Sequence, residues 1–221
     1  MDIKVLTHPY IQAVLTELRD RNTGQIEFRK SLVRLGRALG FEIIKDFELE
    51  RVHVETPLGV RAEGVRIRGL DRVVIVTVLR AAWPMTEGLI KVFPQARQGI
   101  ISARRVEEGG MKSDMSFDVD VEYVRMPAVG PDDTVIIVDP MVATGSTIET
   151  VLKVLSRYGR GKLYVIASAI ATPIAVERIR RVGEELGVKV RIYTAAIDRE
   201  INEKGYIVPG LGDAGDRAFG G

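Results

Sequence analysis

The sequence predicts an α/β fold in which helices flank a central, mainly parallel sheet. From residue 72 onward, apolar runs such as "RVVIVTVL", "TVIIVD" and "LYVIASAIA" alternate with amphipathic stretches such as "STIETVLKVLSRYG" and "AVERIRRVGEEL". This alternation is typical of βαβ units. The apolar runs have few polar positions, which indicates strands covered by helices on both faces. No repeat, low-complexity tract or linker interrupts the pattern, so we expect a single domain over residues 1–221.

The N-terminal third predicts two helices and a hairpin. Apolar residues at helical spacing indicate helices near residues 8–20 and 23–44; they are Ile11, Val14, Leu15 and Leu18 in the first and Ile26, Leu32, Leu35 and Leu39 in the second. Residues 48–67 change to a period of two around "TPLG", which predicts a β-hairpin with Val52, Val54, Val60 and Ala62 on its strands. Because an isolated hairpin is only marginally stable, we expect an arm that reaches a partner subunit in a homodimer or homotetramer.

Composition excludes several classes of protein. The 32 basic and 30 acidic residues leave a net charge of +2, which is too small to favour a nucleic-acid partner. The chain has no cysteine, and this excludes disulfides, thiolate catalysis and cysteine-based zinc sites. No stretch approaches the roughly 20 apolar residues of a membrane span, and "MDIKVLTHPY" has no apolar signal region. We therefore predict a cytoplasmic protein with no membrane or nucleic-acid partner.

The stretch "VIIVDPMVATGSTIETVL", residues 135–152, predicts an anion-binding loop between a strand and a helix. Parallel sheets bind ligands at the carboxyl ends of their strands, and backbone N–H groups at a helix start bind phosphate. The candidate residues are Asp139, Pro140, Met141, Val142, Ala143, Thr144, Gly145, Ser146 and Thr147. We expect Gly145 to let the backbone approach a phosphate and Asp139 to accept from sugar hydroxyls. A plain helix cap by Ser146 or Thr147 with Glu149 is the alternative, whereas the absence of G-K-[ST] and G-x-G-x-x-G disfavours a P-loop or a dinucleotide fold.

The C-terminal stretch "GYIVPGLGDAGDRAFGG", residues 205–221, combines glycines with apolar residues. Its position and glycine content would also suit a disordered tail. However, a packed segment would use the apolar residues as anchors; these are Tyr206, Ile207, Val208, Leu211 and Phe219. Such a loop can present backbone N–H and C=O groups to a small planar ligand.

These two stretches carry a family resemblance. "DPMVATGST" resembles the ribose-phosphate motif of type I phosphoribosyltransferases, which use 5-phospho-α-D-ribose 1-diphosphate (PRPP), and "GYIVPGLGDAGDRAFG" resembles the C-terminal signature of their uracil branch. The resemblance runs from "FRKSLVRLGRALGFE" to the end of the chain. Pro140 follows Asp139 where most of the family has a second acid. The resemblance implies the type I phosphoribosyltransferase fold with a C-terminal base-binding loop.

The resemblance also implies roles for individual residues. "VTVLRAAWPM" resembles the loop whose arginine contacts the diphosphate, which implies Arg80, although Ala82 replaces the usual glycine and a surface arginine is the alternative. "ISARRVEEGGMKSD" stands where the family has a mobile loop with a PRPP-contacting arginine, which implies Arg105 or its neighbour Arg104. A solvated charge run that includes Glu107 and Glu108 is the alternative there. The implied PRPP site is completed by residues 139–147 and Asp213, and the implied uracil site comprises Ile207, Gly212, Asp213 and Ala214.

The implied reaction converts uracil and PRPP to UMP and diphosphate. Mg²⁺ would arrive with PRPP, because magnesium prefers substrate phosphates to an all-protein cage, and no dedicated metal ligand is expected. Other bases (hypoxanthine, guanine or orotate) and an RNA-binding or nucleotide-sensing pyrimidine regulator remain alternatives. Lys30, Arg34 and Arg37 share one helix face, where the family resemblance suggests a regulatory site for GTP or CTP; a solvated helix face is the alternative.

Overall fold

Runs of consecutive buried apolar residues build the central sheet of the protein. The structure is a computed structural model, and it describes residues 1–106 and 108–221. The strands are β1 (Asp2–Val5), β2 (Leu49–Glu55), β3 (Arg61–Ile67), β4 (Val73–Leu79), β5 (Arg97–Arg105), β6 (Val119–Arg125), β7 (Thr134–Val138), β8 (Met141–Val142), β9 (Leu163–Ala171), β10 (Val190–Ile197), β11 (Glu200–Ile201) and β12 (Ile207–Val208). The helices are α1 (Pro9–Arg19), α2 (Gln25–Ile44), α3 (Trp83–Ile90), α4 (Ser146–Leu155), α5 (Pro173–Glu185) and α6 (Ala214–Phe219), with a 3₁₀ turn at Leu70–Arg72.

The strand order of the central sheet is β1-β10-β9-β7-β4-β5-β6, and β8 pairs with β9. The pairs in this sheet are parallel except β5 with β6, which is antiparallel. The chain leaves β4 toward β5 on one side, whereas it leaves β7 toward β9 on the other side. The connections therefore diverge between the adjacent strands β4 and β7, and such a switch point opens a crevice at the carboxyl ends of the strands.

Helices cover both faces of the sheet. In β4, Val73 and Ile75 pack into a core with α1, α2, α3 and α6, whereas Val74 and Val76 pack into a second core with α4 and α5. Successive side chains of a strand point to opposite faces, so both sets must be apolar when both faces are covered. This explains the unbroken apolar run of β4 and confirms the prediction of a helix-flanked, mainly parallel sheet.

Glycines bring α2 and α3 into close contact. A Cβ on Gly36 would lie 2.0 Å from the carbonyl oxygen of Met85, and one on Gly88 would lie 2.1 Å from that of Val33. A larger residue at either position would push the helices apart. This contact fixes α3, and with it the turn that connects β4 to α3.

Several local predictions differ from the structure. Ile26, which has helical spacing with the buried leucines of α2, is 59% exposed, because it lies in the first turn of α2 on a different side from the fully buried Phe28. The strands β1 and β6 at the two edges of the sheet were not predicted; β1 has only four residues, most of them exposed, and β6 alternates between exposed and half-buried positions. The predicted hairpin is confirmed as β2 and β3, which form their own two-stranded antiparallel sheet. None of the helices in the described residues has the length and apolar character needed to cross a membrane.

Candidate active site

A cleft of about 780 Å³ lies at the carboxyl ends of β4, β5 and β7, beneath the C-terminal segment. Most of the residues singled out from the sequence line it; they are Arg80, Arg104, Arg105, Asp139, Met141, Val142, Ala143, Thr144, Gly145, Thr147, Ile207, Gly212, Asp213 and Ala214. Pro140, Ser146, Lys30 and Arg34 are not among its lining residues. The strand-end loop and the C-terminal loop, which are 58 residues apart in sequence from Thr147 to Gly205, therefore face one space.

Pro140 and Ser146 support the strand-end loop from behind. The carbonyl oxygen of Pro140 accepts the N–H groups of Ala169 and Ile170, each at 3.1 Å, and thereby fixes the loop to β9. The hydroxyl of Ser146 is buried, lies 3.0 Å from that of Thr144, and accepts the N–H of Phe117 at 3.0 Å. Both residues therefore shape the loop rather than line the cleft.

Two side chains of the α5 region orient the peptide groups of this loop. Thr172 donates its hydroxyl to the carbonyl oxygen of Ala143 at 2.5 Å, and Arg178 donates Nε to that of Thr144 at 2.8 Å. In a trans peptide the N–H points opposite to the carbonyl. The N–H groups of Thr144 and Gly145 therefore point away from α5, on the side where the loop lines the cleft.

Two constraints on Gly145 come from the fold itself. Its φ of 81° is in the left-handed region, and a Cβ there would lie 3.0 Å from Cα and 3.1 Å from the carbonyl oxygen of Ala175. The missing side chain thus makes room for α5. Gly145 also lies in the wall of the cleft, so its proposed approach to a phosphate stays a prediction beside the positive φ and the packing of α5.

Asp139 follows β7 and lies partly exposed in the wall of the cleft. Burial disfavours its charged form and raises its pKa to about 6, although the N–H of Met141, which donates to Oδ1 at 3.1 Å, and the charge of Arg105 both act to lower it. The carboxylate is therefore mostly ionised at neutral pH. In that form it accepts hydrogen bonds from hydroxyl groups and stabilises a nearby positive charge.

Arg105 and Arg104 have different surroundings. The guanidinium of Arg105 lies between the rings of Phe117 and Tyr206, at 5.1 and 5.6 Å, and donates Nη1 to the carbonyl oxygen of Gly205 at 3.2 Å. Arg104 is exposed and pairs with carboxylates of β6, at 3.3 Å from Glu122 and 3.8 Å from Asp120. Of the two, Arg105 is the cation close enough to Asp139 to affect its pKa.

The position of Arg105 also differs from the expectation of a loop residue. It is the last residue of β5, and its partner in β6 is Val119. Glu107, which was assigned to the same charge run, lies outside the described residues.

Arg80 lies at the mouth of the cleft, directly after β4. The Leu79–Arg80 peptide bond is cis. Nη2 of Arg80 lies 3.5 Å from a carboxylate oxygen of Asp216, and its guanidinium lies 5.9 Å from the ring centre of Phe219. The side chain of Arg80 is exposed, and these two contacts place it beside α6. Diphosphate bound at Arg80 would therefore lie next to the C-terminal segment.

The C-terminal segment is a folded part of the protein rather than a loose tail. Ile207 and Leu211 are buried, whereas Val208, one of the expected anchors, is largely exposed. Gly210 has a φ of 58°, and a Cβ there would lie 2.1 Å from the carbonyl oxygen of Ile207. Asp213 caps α6 by accepting the N–H of Asp216 at 2.9 Å.

Sequence reasoning did not identify which side chains hold these loops in place; they are chiefly Arg19, Thr172, Arg178 and Asp198. Asp198 had a usable signal, because it ends the apolar run of β10 as Asp139 ends that of β7. Thr172 had a weaker one, since a threonine before a proline is a typical helix start, and Thr172 is indeed the N-cap of α5. The partners of Arg19 and Arg178 lie 179, 64 and 34 residues away, so nothing in the local sequence identifies them.

Comparison with known proteins agrees with this geometry. The protein family described as uracil phosphoribosyltransferase matches residues 5–221. Proteins named uracil phosphoribosyltransferase are 51% identical to the chain in Pyrobaculum arsenaticum, over 99% of both chains, and in Thermococcus gammatolerans, over 96% of this chain and 90% of the relative. The solved structure of the AQ2163 protein from Aquifex aeolicus has a TM-score of 0.84 at 32% identity and covers 99% of this chain and 98% of its own. Sequence identity of this level over nearly the whole length shows that the chain belongs to the uracil phosphoribosyltransferase family.

Proposed function

We propose that the protein transfers the phosphoribosyl group of PRPP to N1 of uracil and so forms UMP and diphosphate in pyrimidine salvage. The observation that carries this proposal is the single cleft that joins a loop with outward N–H groups, two arginines and a glycine-rich C-terminal loop. The loop suits the 5′-phosphate and ribose, the arginines suit the diphosphate, and the C-terminal loop suits the base. Membership of the family favours this enzyme over an RNA-binding or nucleotide-sensing regulator.

The strand-end loop is the proposed site for the 5′-phosphate and ribose of PRPP. The N–H groups of Thr144 and Gly145 point away from α5, and the loop leads into the N-terminus of α4, where orphan N–H groups and the helix dipole favour an anion. Thr147 adds a hydroxyl in the cleft wall. Asp139, at the end of β7, would accept hydrogen bonds from the ribose hydroxyls.

Arg80 and Arg105 are the proposed ligands of the diphosphate. Both line the cleft, and their planar guanidinium groups suit bidentate contact with phosphate oxygens. The diphosphate gains charge as it leaves, so cations fixed beside it stabilise the transition state more than the ground state. The contacts of Arg105 with Phe117 and Tyr206 limit its freedom before substrate binds.

Mg²⁺ is proposed to enter the cleft with the diphosphate. Within residues 1–106 and 108–221, no three His, Asp or Glu side chains are grouped so as to hold a metal ion. The carboxylates in the cleft wall do not form such a group, and the open volume beside the arginines suits an ion that keeps most of its water and binds substrate oxygens. When bound, Mg²⁺ would neutralise charge on the diphosphate.

Uracil is proposed to bind the C-terminal loop at Ile207, Gly212, Asp213 and Ala214, all of which line the cleft. Uracil alternates carbonyl acceptors with an N–H donor, a pattern that backbone groups can match. In the reaction, the bond from ribose C1 to the diphosphate oxygen breaks, N1 of uracil forms the new bond to C1, and N1 loses its proton. The ribose becomes positively charged on the way, which the carboxylates of Asp139 and Asp213 would favour.

The regulatory site proposed at Lys30 and Arg34 must compete with internal carboxylates. Lys30 lies 2.9 Å from Glu27, and Arg34 lies 2.5 Å from Glu17 and 2.9 Å from the hydroxyl of Ser31. A GTP or CTP molecule would have to displace both acids. Titration of each nucleotide against the initial rate of the wild type and of Lys30→Ala/Arg34→Ala tests the site; an unchanged wild-type rate, or equal effects on both proteins, rejects it.

The main experiment supplies the purified protein with PRPP, Mg²⁺ and one free base at a time. We expect nucleotide and diphosphate to form with uracil and not with hypoxanthine, guanine or orotate. Preferential turnover of another base would reject the uracil assignment. A lack of turnover with every base, together with a salt-dependent shift of RNA, would instead support the regulator.

A further inference from the structure

Both backbone polar groups of Gly210 are held by one ion pair. Arg19 donates Nη1 to the carbonyl oxygen of Gly210 at 2.8 Å, and the N–H of Gly210 donates to Oδ2 of Asp198 at 2.9 Å. The two side chains also bond to each other twice, from Nη1 to Oδ2 and from Nη2 to Oδ1, each at 2.7 Å. Gly210 itself lies in the C-terminal loop, two positions before Gly212 of the cleft wall.

The pair connects distant parts of the fold, and its carboxylate is buried. Arg19 is the last residue of α1, Asp198 follows β10, and the side chain of Asp198 is 7% exposed. Burial opposes the charge on Asp198, but the hydrogen bonds from Arg19 and from the N–H of Gly210 outweigh it and hold the pKa of this carboxyl below its ordinary value. The carboxylate therefore stays ionised and the pair intact at neutral pH. Removing one partner would leave an uncompensated buried charge.

The C-terminal loop needs such an external support. Gly205, Gly210 and Gly212 have positive φ values, and glycine allows the backbone many alternative paths. Hydrogen bonds tolerate only a few tenths of an ångström in length, so backbone groups that read a base must be placed closely. Arg217 secures the next residue, since its Nη1 donates to the carbonyl oxygen of Leu211 at 2.7 Å.

We propose that Arg19 and Asp198 are positioning residues for the base: they act through Gly210 and fix the backbone that binds uracil. This inference rests on the proposed function of the cleft. Neither side chain lines the cleft. Their effect should therefore fall on recognition of the base, and much less on the 5′-phosphate and diphosphate of PRPP, whose proposed ligands are Arg80, Arg105 and the loop after β7.

The chain contains a second ion pair of the same design, which serves as the control. Arg97 lies 2.6 Å from Asp133, which is 2% exposed, and Asp133 accepts the N–H of Gly130 at 2.6 Å. Arg97 also donates to the carbonyl oxygen of Ala128 at 2.9 Å. Arg97 begins β5 and Asp133 precedes β7, so this pair lies at the amino ends of the strands, whereas the cleft lies at their carboxyl ends.

The test compares Asp198→Asn with Asp133→Asn, and adds Arg19→Lys as a milder change that keeps the charge but loses the double contact. Initial rates are measured with varied uracil and with varied PRPP, together with inhibition by diphosphate and thermal unfolding. We expect Asp198→Asn to raise the KM for uracil about tenfold or more, because misplacement of a binding group is costly. The KM for PRPP and the inhibition by diphosphate should change less than about twofold, and Arg19→Lys should shift the same parameters in the same direction.

Asp133→Asn should lower the unfolding temperature without changing the KM for uracil. If the two Asn variants are equally destabilised and have equal KM values for uracil, or if Asp198→Asn raises both KM values alike, the pair has only a structural role and the inference is rejected. Failure of the proposed function gives a different result, since the wild type itself would then form no UMP from uracil and PRPP.

Discussion

The backbone N–H of Phe117 donates a 3.0 Å hydrogen bond to the hydroxyl of Ser146. This bond ties the segment before β6 to the first turn of α4. The ring of Phe117 lies below the guanidinium of Arg105, and a Cβ on Gly205 would come within 2.5 Å of it. Phe117 therefore contacts the strand-end loop, a diphosphate ligand and the start of the C-terminal loop. A displacement of Phe117 would therefore disturb all three parts of the cleft.

Replacement of Ser146 by alanine should loosen this connection. Phe117 would lose its buried acceptor and with it a fixed position beneath Arg105, so we expect the KM values for PRPP and uracil both to rise about fivefold. The control is Ser156→Ala at the other end of α4, where the hydroxyl donates to the carbonyl oxygen of Lys153 at 2.7 Å. Steady-state kinetics that do not differ between the two variants would show that the bond has no role in the cleft.

Arg178→Gln should weaken binding at the 5′-phosphate. Besides its bond to Thr144, Arg178 donates Nη2 to the carbonyl oxygen of Asp114 at 2.8 Å, so its loss frees both the strand-end loop and the segment around Asp114. We expect the KM for PRPP and the inhibition constant of UMP to rise about tenfold, because both ligands carry this phosphate. Inhibition by diphosphate should not change.

The control for Arg178 is Arg181→Gln on the same helix, which removes an exposed arginine 3.5 Å from Glu177. If diphosphate inhibition weakens as much as UMP inhibition in Arg178→Gln, the residue does not act on the phosphate loop specifically.

Arg80→Lys tests the proposed contact with the leaving diphosphate. Lysine keeps the charge but loses the planar fork, so kcat should fall about tenfold or more while the protein stays folded, since the side chain is exposed. Arg72→Lys, at an arginine just before β4 whose side chain is as exposed as that of Arg80, is the matched control and should have wild-type turnover. A near-normal kcat for Arg80→Lys would identify Arg80 as a surface arginine.

The raised pKa of Asp139 predicts that an increase in pH has opposite effects on stability and on activity. Its folded-state pKa, about 6, lies above the ordinary value of 3.8, so the folded chain holds the proton more tightly than the unfolded chain. The stability gained in this way is present below 3.8 and is lost as the pH rises through about 6. Asp139→Asn stays neutral, and we expect it to unfold at a higher temperature than the wild type at pH 8, with a difference that shrinks toward pH 5.

Activity should follow the ionised carboxylate of Asp139 in the other direction. In the wild type, kcat/KM for PRPP should increase as the pH rises through about 6, and Asp139→Asn should be much less active without this increase. Asp120→Asn, an exposed carboxylate on β6, is the control for a general change of charge. An Asn variant that is no more stable than the wild type at pH 8 would show that Asp139 is not strained by burial.

The parts of the fold that the sequence predicted correctly are those with local causes. The apolar run of β4 follows from its two covered faces, and the turn after β7 follows from a strand that ends directly before a helix start. Parts with distant causes were missed. The packing constraint on Gly145 is an example, because nothing in "ATGST" reveals that Ala175 of α5 packs against it. Arg19 and Asp198 meet across 179 residues, and only the folded chain brings them to Gly210.

The β2–β3 hairpin should be required for assembly. Val54 and Val65 lie on opposite faces of this two-stranded sheet, and both are exposed, as is Leu58 at the turn. Exposed apolar side chains on both faces of a hairpin that is marginal alone are expected to be covered by a partner subunit. Deletion of residues 52–62, closed by Asn-Gly, should therefore yield monomers in light scattering while the central sheet stays folded by circular dichroism. His53→Gln, a polar change on the same strand, is the control and should keep the wild-type mass. An oligomer with an unchanged number of subunits after the deletion would mean that the subunits associate through another surface. If the wild type is itself a monomer, the hairpin does not bind a second copy of this chain, and the prediction is wrong.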